Sequence, residues 1–514
     1  MNAHLLAGPI LLPLAAAALQ LLLGERRRGA ASALGVLSCV GLLGFALALL
    51  AAVGDGTTLV YRIGGWPARF GIVLVADRLS VLMLLLTAVL ALALLPGVLG
   101  RWRRPGSALQ PLAQFLLMGL NGSFLTGDLF NLFVFFEVLL AASYGLALHR
   151  PGAQRISAGL HYIAINLLAS LLFLVGVSLI FGVTGTLNMA ALAQLVPQVQ
   201  ANTRALLHAG AAILGVAFLV KAAMWPLGFW LPRSYAAVPP AVAAMFAVMT
   251  KVGVYVLLRL SLLLFGAGAG AASAGFGGDW LLWGGAATVA MGVVGMLGAR
   301  ELGRLAGYNV LVSSGSLLGA IGVGRPAVIA GALAYLVVST LAVAAFFLLA
   351  GLLAPREDAE EVPLLEPYDP GGLALYADED ESRPTLPAPV RLLAGGFLVA
   401  ALLLAGLPPL SGFLAKFALL APLAGAGPGA TVLFALIVAA GLGTVIAMCR
   451  VGIQIFWEGE WVFPPIRTGA VTSVAILLGL CLLLTVLADA PMRYLQATAA
   501  QLHAPAAYIR AVLP

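Results

Sequence analysis

Apolar segments of about 20 residues, the length a helix needs to cross a bilayer, follow one another along almost the whole chain. Short polar or Gly/Pro-rich breaks separate them. Their positions predict about 14 spans, near 3–23, 30–53, 73–99, 108–126, 128–148, 158–182, 206–231, 238–264, 279–299, 305–324, 327–353, 391–424, 430–456 and 469–490. A membrane barrel would show weaker, alternating segments of about ten residues. The pattern therefore predicts an all-α polytopic membrane protein. The first span is read as a retained helix, because "MNAHLL" carries no Lys or Arg and the first basic cluster, Arg26–Arg28, follows it.

Two stretches fall outside this rhythm. Residues 354–390 hold ten of the chain's 20 acidic residues among several prolines and read as a solvated loop. Residues 491–514 are amphipathic but too short and polar to span, which predicts a tail lying along the interface or against a partner.

Composition agrees with the pattern: 62% hydrophobic and 9% charged residues in a 514-residue chain exclude a soluble globule with a wetted surface. The net charge of +7 raises a nucleic-acid reading, but the arginines are scattered over short loops instead of gathered on one face, so no nucleic acid is expected. Topology accounts for them better. Odd-numbered loops carry 15 arginines and even-numbered loops four, which by the positive-inside rule places the odd loops in the cytoplasm and both termini outside. Cys39, Cys449 and Cys481 lie far apart in predicted spans, with no spacing for zinc, iron–sulfur or a disulfide, and read as packing residues. No cofactor is expected.

The informative charges are those inside spans. Lys221, Lys251 and Lys416 are the only lysines in the chain, and every other basic side chain outside histidine is arginine. Arginine does not deprotonate in proteins, whereas a buried amine can exchange its proton. With Glu137, inside "GDLFNLFVFFEVLLAASYG", these make four mid-span charges that together would cost roughly 10–14 kcal/mol if left in lipid. They must be paired, hydrated or turned towards a polar interior. Glu137 shares its helix face with Phe130, Phe133, Val134, Leu140, Ala141 and Tyr144, so its partner must come from another helix.

Lys221 precedes a break in "KAAMWPLGFWLP", and Lys416 follows one in "GLPPLSGFLAK". That mirrored order is what inverted repeats would produce, with five-helix units over about 108–264 and 279–456. Lys251 lies one span after Lys221, and a line of titratable groups at mid-depth suggests a lateral proton wire. His161 and His208 are weaker candidates for it. Asp128, about 13 Å along the axis from Glu137, reads as a helix-start aspartate. Asp77 and Arg78 read as a local pair, and Arg259 and Arg450 as side chains that snorkel to an interface.

The stretches "GDLFNLFVFFEVLLAASYG", "FLVKAAMWPLGFWLP", "MTKVGVYVLLR" and "GLPPLSGFLAKF" resemble the antiporter-like subunits shared by respiratory complex I and Mrp-type cation/proton antiporters. The first is most similar to the D-type (MrpD/PhaD) group of Mrp subunits, as is the tail "AYIRAVLP". The likeness covers roughly residues 70–350 and 390–456. It implies 14 transmembrane helices, two inverted five-helix repeats, and discontinuous helices 7 and 12. It also implies a proton path through Glu137, Lys221, Lys251 and Lys416. A histidine common in the family's helix 11 corresponds here to Val338, leaving water or a hydroxyl such as Ser339 or Thr340 to bridge Lys251 and Lys416.

The expected function is therefore the proton-translocating subunit of a multi-subunit Na+ or K+/H+ antiporter in the plasma membrane, a transporter and not an enzyme. The other Mrp subunits are its expected partners. The alternative is a proton-pumping subunit of a redox complex, either complex I-like or a membrane hydrogenase.

Overall fold

The computed structural model describes residues 3–24, 27–69, 71–102, 109–149, 152–354, 388–457 and 468–513. All of the acidic loop except its two ends lies outside these residues. The first half of the chain forms α1 (Gly8–Leu23), α2 (Arg28–Val53), β1 (Leu59–Arg62), β2 (Val73–Ala76), α3 (Arg78–Trp102), α4 (Leu109–Leu125), α5 (Leu129–Ala147), α6 (Ala153–Thr184), α7 (Met189–Leu195), α8 (Ala201–Lys221), α9 (Leu231–Ala237) and α10 (Pro240–Leu264). The second half forms α11 (Gly278–Gly298), α12 (Leu302–Val323), α13 (Pro326–Leu353), α14 (Ala388–Ala405), α15 (Ser411–Leu420), α16 (Pro428–Phe456), α17 (Thr468–Val486), α18 (Asp489–His503) and α19 (Ala506–Val512).

Eleven of these helices are long and apolar enough to cross a membrane. The regions expected to span at 3–23, 108–126 and 391–424 fold as helices of 16 residues, of 17 residues, and as the broken pair α14–α15.

One departure from an all-helical chain is a small antiparallel hairpin in which Leu59 faces Ala76 and Arg62 faces Val73. Residues 73–76, expected as the start of a span, are its second strand. Gly64 and Gly65 take positive φ in the connection, and the β-branched Val60, Val73 and Val75 favour the pleat.

α10 is enclosed over 94% of its apolar window, against 28% in α17, so α10 sits at the centre and α17 at the rim. A helix apolar on every side is buried among others, and α12 and α13 join α10 in that position. Without a hydrophobic force between helices in lipid, close approach depends on small residues. A Cβ on Gly285 of α11 would fall 2.4 Å from the backbone nitrogen of Gly319 on α12, and one on Gly176 of α6 2.7 Å from that of Leu214 on α8.

The tail docks on its own chain, where the sequence suggested an interface or a partner. α18 buries Leu495, Ala499 and Leu502 and packs on α13. Gln501 donates to the Gly56 carbonyl (3.0 Å), and Arg62 donates to that of Val512 at the end of α19 (3.1 Å).

Two interruptions define the interior. α8 stops at Lys221 and the chain resumes as α9 at Leu231; α14 stops at Ala405 and α15 starts at Ser411. A Cβ on Gly253 would meet the Phe218 carbonyl at 2.9 Å and the Ala222 nitrogen at 2.8 Å, so the end of α8 lies level with the middle of α10. A Cβ on Gly441 would lie 3.0 Å from the Ala405 carbonyl, which sets the second interruption level with the middle of α16.

Candidate functional site

Asp128 caps α5, accepting from the backbone N–H groups of Phe130 (2.8 Å) and Asn131 (2.9 Å), as a helix-start aspartate should. Nine residues on, half-buried Glu137 receives a hydrogen bond to Oε1 from Ser170 of α6. Lys221, 7% exposed at the end of α8, donates from Nζ to Oδ1 of Asn166 at 2.7 Å and sits 4.4 Å from the centroid of the Phe136 ring. Asn166 and Ser170 stand one turn apart on the same face of α6. The expected carboxylate–amine contact is thus indirect: no ion pair joins Glu137 to Lys221, and two neutral side chains of α6 receive one charge each. Tyr162, one turn before Asn166, extends the stripe, its hydroxyl 2.7 Å from that of Ser143.

The break after Lys221 is held by its neighbours. Ala223 takes a positive φ of 56°, and a Cβ on Gly228 would lie 2.1 Å from the Ala223 carbonyl oxygen, so only glycine fits there. The N–H of Trp225 donates to Thr288 of α11 (2.8 Å), tying the interruption to the second half of the chain.

Lys251 is 2% exposed and donates to Ser313 Oγ of α12 at 2.7 Å; Ser313 in turn lies 2.9 Å from Ser339 Oγ of α13. This buried chain of hydroxyls crosses from α10 to α13. Ser339 adjoins Val338; both it (3.3 Å) and Thr340 (2.6 Å) bond back to the Leu336 carbonyl of their own helix, and of the two it is Ser339 that also meets Ser313. If the hydroxyl carries protons, Ser313→Ala should lower exchange about tenfold, a barrier change of ~1.4 kcal/mol, while Ser313→Thr keeps it. Initial rates of dye-reported exchange in membrane vesicles check this.

Lys416 donates to the carbonyls of Leu404 (2.9 Å) and Ala405 (2.8 Å), the last two of α14. A helix end leaves such carbonyls without intrahelical partners, and a cation completes them. Its stem lies across Gly406, whose φ is +74° and whose Cβ would fall 2.4 Å from Lys416 Cδ.

Other expectations change. Arg259 does not snorkel and Asp77 does not pair with Arg78: Arg259 holds Asp77 through two hydrogen bonds of 2.5 and 2.7 Å, both residues being buried. Arg78 instead donates to the Gly54 carbonyl (2.7 Å). Arg450 donates to the carbonyls of Leu297 and Ala299 (2.6 Å each). His161 is exposed and bonds to the Ser157 carbonyl, and His208 stacks on Phe276, 13 residues before Lys221 and about 20 Å away along α8. Neither joins the lysines. Cys449 is exposed, whereas Cys39 and Cys481 are buried. Among the described residues no group of three or more His, Cys, Asp or Glu could hold a metal ion.

Asn166, Ser170 and Ser313 escaped the sequence reading. The signal was present: Tyr162, Asn166 and Ser170 recur every fourth residue in the apolar middle of α6, and Ser313 opens the run "SSGS".

Two interrupted helices, each with a buried lysine beside its interruption, place the protein among polytopic membrane proteins built to move ions. The chain belongs to the NADH:quinone oxidoreductase/Mrp antiporter transmembrane family, whose model matches residues 126–443. It is 52% identical over 528 residues to the D-type subunit of a probable K+/H+ antiporter of Rhizobium meliloti, covering 99% of this chain and 97% of that one. It is 35% identical over 521 residues to the D-type subunit of the Na+/H+ antiporter of Bacillus subtilis, with 98% of each covered. A chain in the structure of the Mrp complex from Dietzia sp. superposes with a TM-score of 0.82 at 26% identity, covering 100% of this chain and 99% of that one.

Proposed function

We propose that the chain is the D-type, proton-translocating subunit of a multi-subunit monovalent cation (Na+ or K+)/H+ antiporter, and that Glu137, Lys221, Lys251 and Lys416 carry the proton. One observation supports this above the others: each of the three buried amines meets only neutral oxygen acceptors, not a carboxylate. An amine that need not stay charged to hold an ion pair can give up its proton and take it back. A structural role would favour a fixed pair, as at Asp77–Arg259.

The proton's course runs from Glu137 past Ser170 and Asn166 to Lys221, then to Lys251, through Ser313 and Ser339, and on to Lys416. The mirrored interruptions support two inverted repeats. Counting α1, α4 and the α14–α15 pair with the eleven long helices supports 14 spans, with odd loops in the cytoplasm and both termini outside. Both relatives are single subunits of larger antiporters, which supports partner chains that share the cation path.

The test uses everted vesicles from cells making the whole complex. Adding Na+ or K+ should collapse a preformed pH gradient. A gradient that survives both cations, together with NADH-driven pumping that depends on this chain, would favour the redox-complex reading instead.

A further inference from the structure

A cavity of about 780 Å³ opens between α3, α13, α15, α17 and the start of α18. It belongs to none of the lysine contacts. Its wall is formed by Leu82, Leu85, Val338, Leu414, Ala415 and Leu484, with Ser411 at the floor and Asp489 and Tyr494 at the mouth. The volume is that of a ligand site, which typically runs to about 300–1,000 Å³. The polar groups are too few to hold a water column, since each buried water needs two to four partners.

Its direction is readable from α13. That helix starts at Pro326, and Val338 lies twelve residues further in, about 18 Å at 1.5 Å per residue. One leaflet of a hydrocarbon core ~30 Å thick is about 15 Å deep. The mouth lies on the same side, where α3 and α18 begin and α2 and α17 end. The cavity therefore runs from one membrane face to the level of the α14–α15 interruption. Asp489 at the mouth forms an exposed ion pair of 2.7 Å with Arg493, which stands one turn further along α18, just outside the lining. That pair offers one negative and one positive group to a ligand carrying both.

We propose that this groove seats one phospholipid of the adjoining leaflet, its acyl chain along α13 to Val338 and its amine-bearing zwitterionic headgroup against Asp489 and Arg493. The lining matches an acyl chain, the depth matches one leaflet, and the charged pair matches an ammonium and a phosphate. A seated chain closes the flank of the interruption beside Lys416. Its lining contains none of the proposed proton carriers, although Val338 and Ala415 adjoin Ser339 and Lys416 in sequence.

The assembled complex is reconstituted in nanodiscs containing phosphatidylethanolamine with a photoreactive diazirine at the end of an acyl chain, and the labelled residues are mapped by mass spectrometry. Label is expected at Val338, Leu414 and Ala415. Ala334→Trp, which fills the groove, should lower it about tenfold, as a loss of ~1.4 kcal/mol in binding would. Asp489→Asn, at an exposed position that leaves the fold untouched, should erase the preference over the same probe built on phosphatidylcholine. If Ala334→Trp does not assemble, the Asp489→Asn comparison decides. Label spread evenly over the surface, label unchanged by both substitutions, or a cross-link from Val338→Cys to a neighbouring chain of the complex each overturns the proposal.

Discussion

Lys221→Ala will bring cation-driven proton exchange to background, a fall of about a hundredfold or more, the scale of losing one positioned proton-transfer group. The complex should still assemble, because the hydrogen bonds of the Lys221 amine go to one residue, Asn166 (Oδ1 at 2.7 Å and the backbone carbonyl at 3.4 Å), in a region fixed by Thr288 and Gly228. Lys221→Arg separates charge from proton exchange: a guanidinium stays charged at every working pH, so a structural cation would be replaced and a relay amine would not. Glu137→Gln makes the complementary cut, since its amide oxygen can still accept from Ser170 while the carboxylate is gone. Both variants should assemble and fail to exchange. Wild-type rates in vesicles from either one, with complex content checked by copurification, remove that residue from the path.

The contrast among the charges shows what a sequence can carry. Placing Lys221, Lys251 and Lys416 in apolar spans, the first and last beside Pro/Gly breaks, needed only the cost of a charge in lipid, and the two interruptions fall at those breaks. Their partners could not be read the same way. A lysine can be satisfied by an amide, a hydroxyl or the carbonyls of a helix end, and all three occur here. Which one is used depends on which helices touch, and that is settled by glycines such as Gly253 and Gly441, whose close contacts lie on other helices.

The hairpin at 59–76 was missed for a related reason. "VLVA" is as apolar as a helix start, and only pairing with "LVYR" makes it a strand. Arg259 was misread because its carboxylate lies 182 residues away. The tail's amphipathic face was legible, but an apolar stripe does not say whether lipid, a partner or the chain itself covers it.

That distant pair sets the second large effect. Removing one member of a buried ion pair leaves the other charge uncompensated and costs about 3–5 kcal/mol, a substantial share of the stability of an ordinary domain. Here Asp77 also accepts from the Ser80 N–H (2.9 Å), and Arg259 packs under the rings of Tyr255 (5.5 Å) and Tyr508 (5.3 Å). Tyr508 belongs to α19, so the pair joins the start of α3, the second half of α10 and the tail. Asp77→Asn and Arg259→Ala should each lower thermal stability by the larger amount, while Tyr508→Ala, which removes a cation–π contact and an apolar ring, should cost less. The double variant Asp77→Asn/Arg259→Ala should be less damaging than the sum of the two singles, because the second substitution removes the charge that the first stranded. The tail should loosen together with the pair, since Tyr508 lies over Arg259, and limited proteolysis of the purified complex should cut between α18 and α19 sooner in the single variants. A tail as resistant as wild type in Arg259→Ala, with unchanged melting, would mean that these 182 residues of separation are bridged by packing and that the ion pair adds nothing to it.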